Sequence, residues 1–239
     1  MQTLNKDKAI VIFSGGQDSS IALAYALDRF QSVETIGFDY GQRHAVELGA
    51  RSAIRREFAS FSPDWSDRLG QDTLIDLTGL GRISETSMTR DTPIVTPEGG
   101  LPSTFVPGRN LIFLTYAGAL AYKRDAGVLV AGMCEADYSG YPDCRSETLD
   151  AQINALRLGM DMEIALETPL MAIDKAESWR LAERIGGGRL VAIINENSHT
   201  CYLGVRSERH AWGYGCGTCP ACELREKGWR DYQREETVA

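Results

Sequence analysis

Several familiar signatures are missing from this 239-residue chain. No apolar run approaches the roughly 18 residues that a membrane-spanning helix needs. The opening Met1-Gln2-Thr3-Leu4-Asn5-Lys6 has no apolar core of a signal peptide. A cytoplasmic location with no membrane partner is therefore expected. Basic charge is not in excess: the formal net charge is −8 and the sequence pI is near 5.0. That balance argues against a broad nucleic-acid surface, though local basic patches remain compatible with it. There are no internal repeats and no low-complexity tracts. The dinucleotide fingerprint Gly-x-Gly-x-x-Gly is absent, and so is the Gly-Lys-Ser/Thr ending of a Walker loop. In a reducing compartment the six cysteines are expected to be free, catalytic or metal-bound, not paired as disulfides.

What is present begins with Ala9-Ile10-Val11-Ile12-Phe13, an unbroken apolar run suited to a buried parallel strand. It leads into Ser14-Gly15-Gly16-Gln17-Asp18-Ser19-Ser20, and then into Ile21-Ala22-Leu23-Ala24-Tyr25-Ala26-Leu27, which favours helix. The stretch reads as strand, glycine turn, helix. Gly15 and Gly16 let backbone approach a ligand closely, and Ser14, Asp18 and Ser19 are candidate caps for the new helix. Free N–H groups at the positive end of a helix form an anion site. Without a motif to assign it, such a turn could equally be a plain strand-to-helix corner.

Further on, alternating patterns predict a strand over Val33–Tyr40, a helix over about 45–58, and a turn between Pro63 and Gly70. They predict strands over 73–77 and 127–132, a helix over 146–160, and a short strand over 164–167. From Gly79 to Gly108 prolines and glycines leave no periodicity, which suggests a functional lid. Asn110 is the expected N-cap of a helix to about Arg124, and Asp174 that of a helix ending at Gly186-Gly187-Gly188. Strands alternating with helices imply an α/β, Rossmann-like parallel sheet with helices on both faces. Ligands of such sheets bind at the carboxyl edge of the strands. The glycine turn, the segment Asp39-Tyr40-Gly41-Gln42-Arg43-His44 and the polar loop 135–145 all belong at that edge.

Cys216, Cys219 and Cys222 follow two-residue spacing, with Cys201 upstream. Four thiolates suit a closed, structural zinc site. An iron–sulfur cluster is the rival, since C-x2-C-x2-C also opens ferredoxin motifs. His199 and His210 flank the cluster as substitute ligands. The expected organisation is a nucleotide domain over 1–195 with a metal-binding segment over 196–239 packed on it.

The run Ser-Gly-Gly-x-Asp-Ser resembles the PP-loop of the ATP pyrophosphatase superfamily, which carries the adenine nucleotide alpha-hydrolase-like fold. Together with the blocks 38–44, 105–110 and 137–145 and the four cysteines, the chain resembles the 7-cyano-7-deazaguanine synthase family. Cys134 lies outside that pattern and reads as an incidental small residue. The resemblance implies ATP with Mg2+, one structural Zn2+ and a homodimer. It also implies a reaction in which ATP adenylates 7-carboxy-7-deazaguanine, ammonia displaces AMP to give the amide, and a second ATP activates the amide oxygen for dehydration to the nitrile. Free ammonia is the simpler source, because no glutaminase-type nucleophile is apparent. On this reading nucleotide contacts come from Phe13, Ser14, Gly15, Gly16, Gln17, Asp18, Ser19, Ser20, Ile21, Ala22, Leu23, Asp39 and Arg43. Asp18, Ser19, Arg109 and Arg145 carry the chemistry. Asp137, Tyr138, Asp143 and Arg145 bind the deazaguanine, with Tyr141 an alternative stacking ring and His44 a candidate acid or base. Two relatives in chemistry compete: a PP-loop enzyme adenylating tRNA for thiolation or lysidine formation, and one acting on another deazaguanine. A metal-ribbon interaction module with a vestigial ATP site is a third reading.

Overall fold

The computed structural model describes residues 1–43, 46–135 and 140–236. In chain order its elements are β1 (Gln2–Thr3), β2 (Asn5–Ile12), α1 (Gln17–Arg29), β3 (Ser32–Asp39), α2 (Val46–Ala59), α3 (Pro63–Arg68), β4 (Leu69–Asp76) and α4 (Thr78–Ser84). There follow α5 (Arg109–Arg124), β5 (Ala126–Ala131), a 3-10 turn at Pro142–Cys144, α6 (Ser146–Met160), β6 (Met162–Glu163), β7 (Ala165–Glu167) and α7 (Lys175–Asn197). The chain closes with β8 (Arg209–His210), β9 (Gly213–Tyr214) and α8 (Pro220–Glu236).

Five strands form one sheet in the order β4-β3-β2-β5-β7, and every pairing in it is parallel. Alternate residues of β2 feed opposite faces. Ala9, Val11 and Phe13 pack with α1, α2 and α7, while Ile10 packs with α5 and α6. Burial on both faces is why the strand reads as an uninterrupted apolar run. From β2 the chain winds outward to β3 and β4, then crosses back to β5 on the other side. The switch point therefore lies between the carboxyl ends of β2 and β5, where a parallel sheet opens a crevice.

Four expectations about elements need correction. The turn between Pro63 and Gly70 is a helix, α3, because Ser62 accepts a hydrogen bond from the Trp65 N–H (3.2 Å) and Pro63 occupies the first turn. The strand expected from Thr73 begins earlier, at Leu69. The aperiodic stretch 79–108 opens with helix α4. Asn110 does not cap α5: the N-cap is Gly108, in a left-handed conformation, and the side chain of Asp143 accepts from the Asn110 N–H (3.0 Å). The triple glycine does end the helix that Asp174 begins, as expected. Gly186 and Gly187 leave helical geometry, and a second helical stretch follows them within α7 to Asn197. Asp174 does cap α7, accepting from the Glu177 N–H at 2.8 Å. No described helix is long and apolar enough to cross a membrane.

Candidate active site

The glycine turn is held by its own serines. The Ser19 Oγ accepts from the N–H groups of Ser14 and Gly15 (3.2 Å each) and donates to the Gly16 carbonyl (3.1 Å). The Ser14 Oγ accepts from the Gly16 N–H at 3.1 Å. Gly15 has φ +96°, and a Cβ there would meet the Glu47 carbonyl at 2.7 Å and the Arg51 N at 2.8 Å. Only glycine fits. Across the switch point, a Cβ on Gly132 would lie 2.7 Å from the Asp18 carbonyl carbon. That close approach seats the first turn of α1 against the end of β5.

The turn forms one wall of a cavity of about 290 Å3 at the switch point. Facing it is Lys175, the first residue of α7, whose Nζ donates to both carboxylate oxygens of Asp18 at 2.8 Å. Lys175 is buried and Asp18 about one third exposed. The turn itself contains no lysine, yet the fold delivers one to it. Gln17 donates to the Ser178 Oγ (3.2 Å), tying α1 to α7 one turn further on.

The opposite wall is aromatic: Tyr40, Phe113, Tyr141 and Tyr202 line it together with Arg109. Burial pushes the phenols of Tyr40 and Tyr202 up, so both stay protonated. Tyr141 is fixed by a 2.5 Å hydrogen bond with the Thr104 hydroxyl. Burial also pushes the Cys144 thiol up to about 12, with Asp143 adding to the effect. Cys144 is therefore a neutral wall residue and not a nucleophile.

The sulfur atoms of Cys201, Cys216, Cys219 and Cys222 lie within 4.8 Å of one another. A tetrahedral zinc with Zn–S bonds near 2.3 Å sets its sulfurs about 3.8 Å apart, and the group fits that size. Cys216 accepts from the Cys219 N–H (3.3 Å) and the Thr218 N–H (3.5 Å). The histidines are not part of the group: His210 bonds the Gly215 carbonyl at 2.9 Å and stacks on Trp212. The residues just before the cluster reach the glycine turn. The His199 N–H donates to the Gly15 carbonyl (3.1 Å), and the Thr200 hydroxyl accepts from Arg225 (2.9 Å). Arg225 is fully buried, donating also to the Trp212 carbonyl at 2.8 Å.

Of the expected site residues, Phe13, Ser14, Gly16, Gln17, Asp18, Ser19 and Arg109 line the cavity. Gly15 lies within the turn, and Ser20, Ile21, Ala22 and Leu23 are buried behind it in α1. Asp39 ends β3 and accepts from the Gly41 N–H (3.0 Å), outside the cavity wall. Arg43 is drawn away to the 88–92 segment, pairing with Asp91 and donating to the Thr92 carbonyl (3.3 Å). Arg145 is exposed at the N-cap of α6. Asp143 is buried and bound to Asn110. His44, Asp137 and Tyr138 fall outside the described residues. Lys175, Gln42, Thr200 and Tyr202 were missed by sequence reasoning but line the cavity. Cys134, read as incidental, lines it too. For Lys175 a signal existed, since it directly follows the Asp174 cap and so opens a helix.

A parallel sheet with a serine-ringed glycine turn at its switch point defines an α/β protein of the PP-loop class. A similar fold occurs in the crystal structure of a 4-thiouridine synthetase–RNA complex with bound ATP, at TM-score 0.50 and 19% identity, over 97% of this chain and 52% of that one. The chain belongs to the family described as queuosine biosynthesis protein QueC, whose family model matches residues 8–233. A relative from Gluconobacter oxydans (strain 621H), named 7-cyano-7-deazaguanine synthase, is 59% identical over 97% of this chain and 96% of its own length. Relatives of the same name from Gluconacetobacter diazotrophicus (61%, 95% of this chain and 93% of theirs) and Hyphomonas neptunium (58%, 97% of each) agree.

Proposed function

We propose that this protein is an ATP-dependent carbon–nitrogen ligase that converts 7-carboxy-7-deazaguanine and ammonia to 7-cyano-7-deazaguanine. The observation that carries the proposal is the placement of the Ser-Gly-Gly-x-Asp-Ser turn on the wall of a cavity, in a chain that matches curated relatives of that name along nearly its whole length. A carboxylate is a poor electrophile until one of its oxygens becomes a good leaving group. In the first stage the acid's oxygen attacks the α-phosphate of ATP and pyrophosphate leaves; ammonia then attacks the acyl carbon and AMP leaves, giving the amide. In the second stage the amide oxygen attacks the α-phosphate of a second ATP and pyrophosphate leaves, and loss of AMP with the nitrogen's two protons leaves the nitrile.

On this reading the residues chiefly position and stabilise charge. The N–H groups of Gln17, Asp18 and Ser19 that open α1, with the serine hydroxyls of the turn, hold the phosphates. Lys175 adds positive charge where pyrophosphate departs and Asp18 orients that lysine. Mg2+ accompanies the triphosphate as part of the substrate and neutralises its charge. Zn2+ at Cys201, Cys216, Cys219 and Cys222 supplies cross-linking of the last segment and no chemistry, because four thiolates leave no open position. Residues 1–195 then supply the glycine turn, Lys175 and Arg109, and the metal-clipped 196–239 closes the cavity with Thr200 and Tyr202. The acidic balance of the chain supports action on small molecules without RNA, and the family resemblance supports a homodimer in the cytoplasm.

Incubation with ATP, ammonium and 7-carboxy-7-deazaguanine, followed by mass detection, is expected to show the nitrile with AMP and pyrophosphate. ADP and orthophosphate in their place would remove the proposal.

A further inference from the structure

Among the described residues, Arg109 has no carboxylate within ion-pair distance. It is the first residue of α5. Among the described residues its guanidinium makes a single hydrogen bond, a long one of 3.4 Å to the Tyr40 hydroxyl. Its Nε is enclosed and has no partner. Asp143 acts on it only from further away. Burial works against the charge and the Asp143 carboxylate favours it, and an arginine guanidinium stays protonated in any case. A largely desolvated cation with most of its donors unused is costly unless an anion completes it.

The surroundings say what kind of anion. The guanidinium carbon lies 5.8 Å from the ring centroids of both Tyr40 and Tyr141. Tyr141 is locked through Thr104, and Phe113 packs 5.8 Å from Tyr40. The phosphate-type donors, in contrast, are gathered on the opposite wall at the glycine turn. One cavity thus offers an anion cradle on one side and a cation between aromatic faces on the other.

We infer that Arg109, with Tyr40 and Tyr141, seats the acid substrate, the guanidinium taking its carboxylate as a bidentate pair while the rings pack against its planar heterocycle. This rests on the ligase reading above. It assigns Arg109 to binding the acid and not the triphosphate, and joins the α5 side of the cavity and Tyr40 to Tyr141 of the 137–145 loop in recognition.

The test exploits the reaction's own intermediate: the amide has the same ring system and no charge. For Arg109→Gln, kcat/KM with the acid is expected to fall by about 100-fold or more, the scale for losing a buried charge-assisted pair. The loss with the amide should stay under about 10-fold, and KM for ATP should change little. Tyr141→Leu should lower both acid and amide turnover by about 3- to 10-fold, as loss of aromatic packing does. Equal losses on acid and amide for Arg109→Gln, or a loss lodged in KM for ATP, would overturn the assignment. Should that variant not fold, calorimetry on the unaltered protein decides: tighter binding of acid than of amide supports it, and equal affinity overturns it. Unaltered protein that prefers the acid but forms no AMP would leave this seat standing and remove the ligase reading instead.

Discussion

At the scale of single residues, the site depends on groups that sequence position does not bring together. Lys175 and Asp18 are 157 positions apart and meet at 2.8 Å. Replacing Lys175 with Met is expected to lower kcat for pyrophosphate release by about 100- to 1,000-fold, the scale of one preorganised charge-stabilising donor, while the far-ultraviolet circular dichroism spectrum is unchanged. Lys175→Arg should recover part of that loss; equal damage from both would mean that the lysine serves packing only. Gly15→Ala meets both a left-handed backbone and two backbone atoms inside 3 Å. The backbone alone costs about 1–2 kcal/mol, so its denaturant midpoint should drop and activity should fall with it. Cys144 offers a pH test. Because its native value is raised from the usual 9.0 to about 12, the folded protein keeps it protonated at pH 8. Deprotonation is favoured on unfolding, so this group's contribution to stability is lost as pH climbs from about 9 to 12. Iodoacetamide at pH 8, read by peptide mass spectrometry, should leave Cys144 unmodified until denaturant is added.

At the scale of elements, α7 does most to arrange the site. Its first turn presents Lys175 to the glycine turn, and its far half presents the Asn195 carbonyl to Arg225 (3.3 Å). The break at Gly186–Gly187 lets two successive helical stretches serve the two ends. Gly187 stands at φ +64° with open space around it, so Gly187→Ala is strained by its backbone and not by contact. A loss of about 1 kcal/mol follows from that strain, which in a domain this size lowers Tm by roughly 2–4 °C. Asp174→Ala removes the cap and costs about 1 kcal/mol as well. It should differ from Gly187→Ala in also lowering turnover, because the cap fixes where Lys175 begins. Calorimetric melting and steady-state rates on the same samples separate the two.

At the scale of the whole molecule, the cysteine segment and the nucleotide turn are mechanically joined. Three successive residues connect them: His199 to Gly15, Thr200 to Arg225, and Cys201 to the other thiols. A metal bound by four thiolates contributes its binding energy to the fold of the segment that holds it. Removing metal with a chelator is expected to speed amide hydrogen exchange over 199–222 first, and then at Gly15 and Gly16. The strands β2 and β5 should stay protected. Uniform deprotection of the sheet would show that the segment is not a separable support.

The elements whose pattern is local were legible in the chain itself. The apolar run before the glycine turn, α6 over Ser146–Met160 and the Asp174 cap each follow from neighbours a few residues apart. The cysteine spacing was equally plain, since ligands that share one ion must recur within a short loop. What the tertiary structure alone decided is which distant groups converge. Gly108 and not Asn110 caps α5 while Asp143 accepts from the Asn110 N–H, Arg43 turns to Asp91 and away from the cavity, and Lys175 supplies the charge that the turn lacks. Those outcomes depend on how strands are ordered in the sheet. Strand order is set by burial on both of its faces, and no short window of sequence records it.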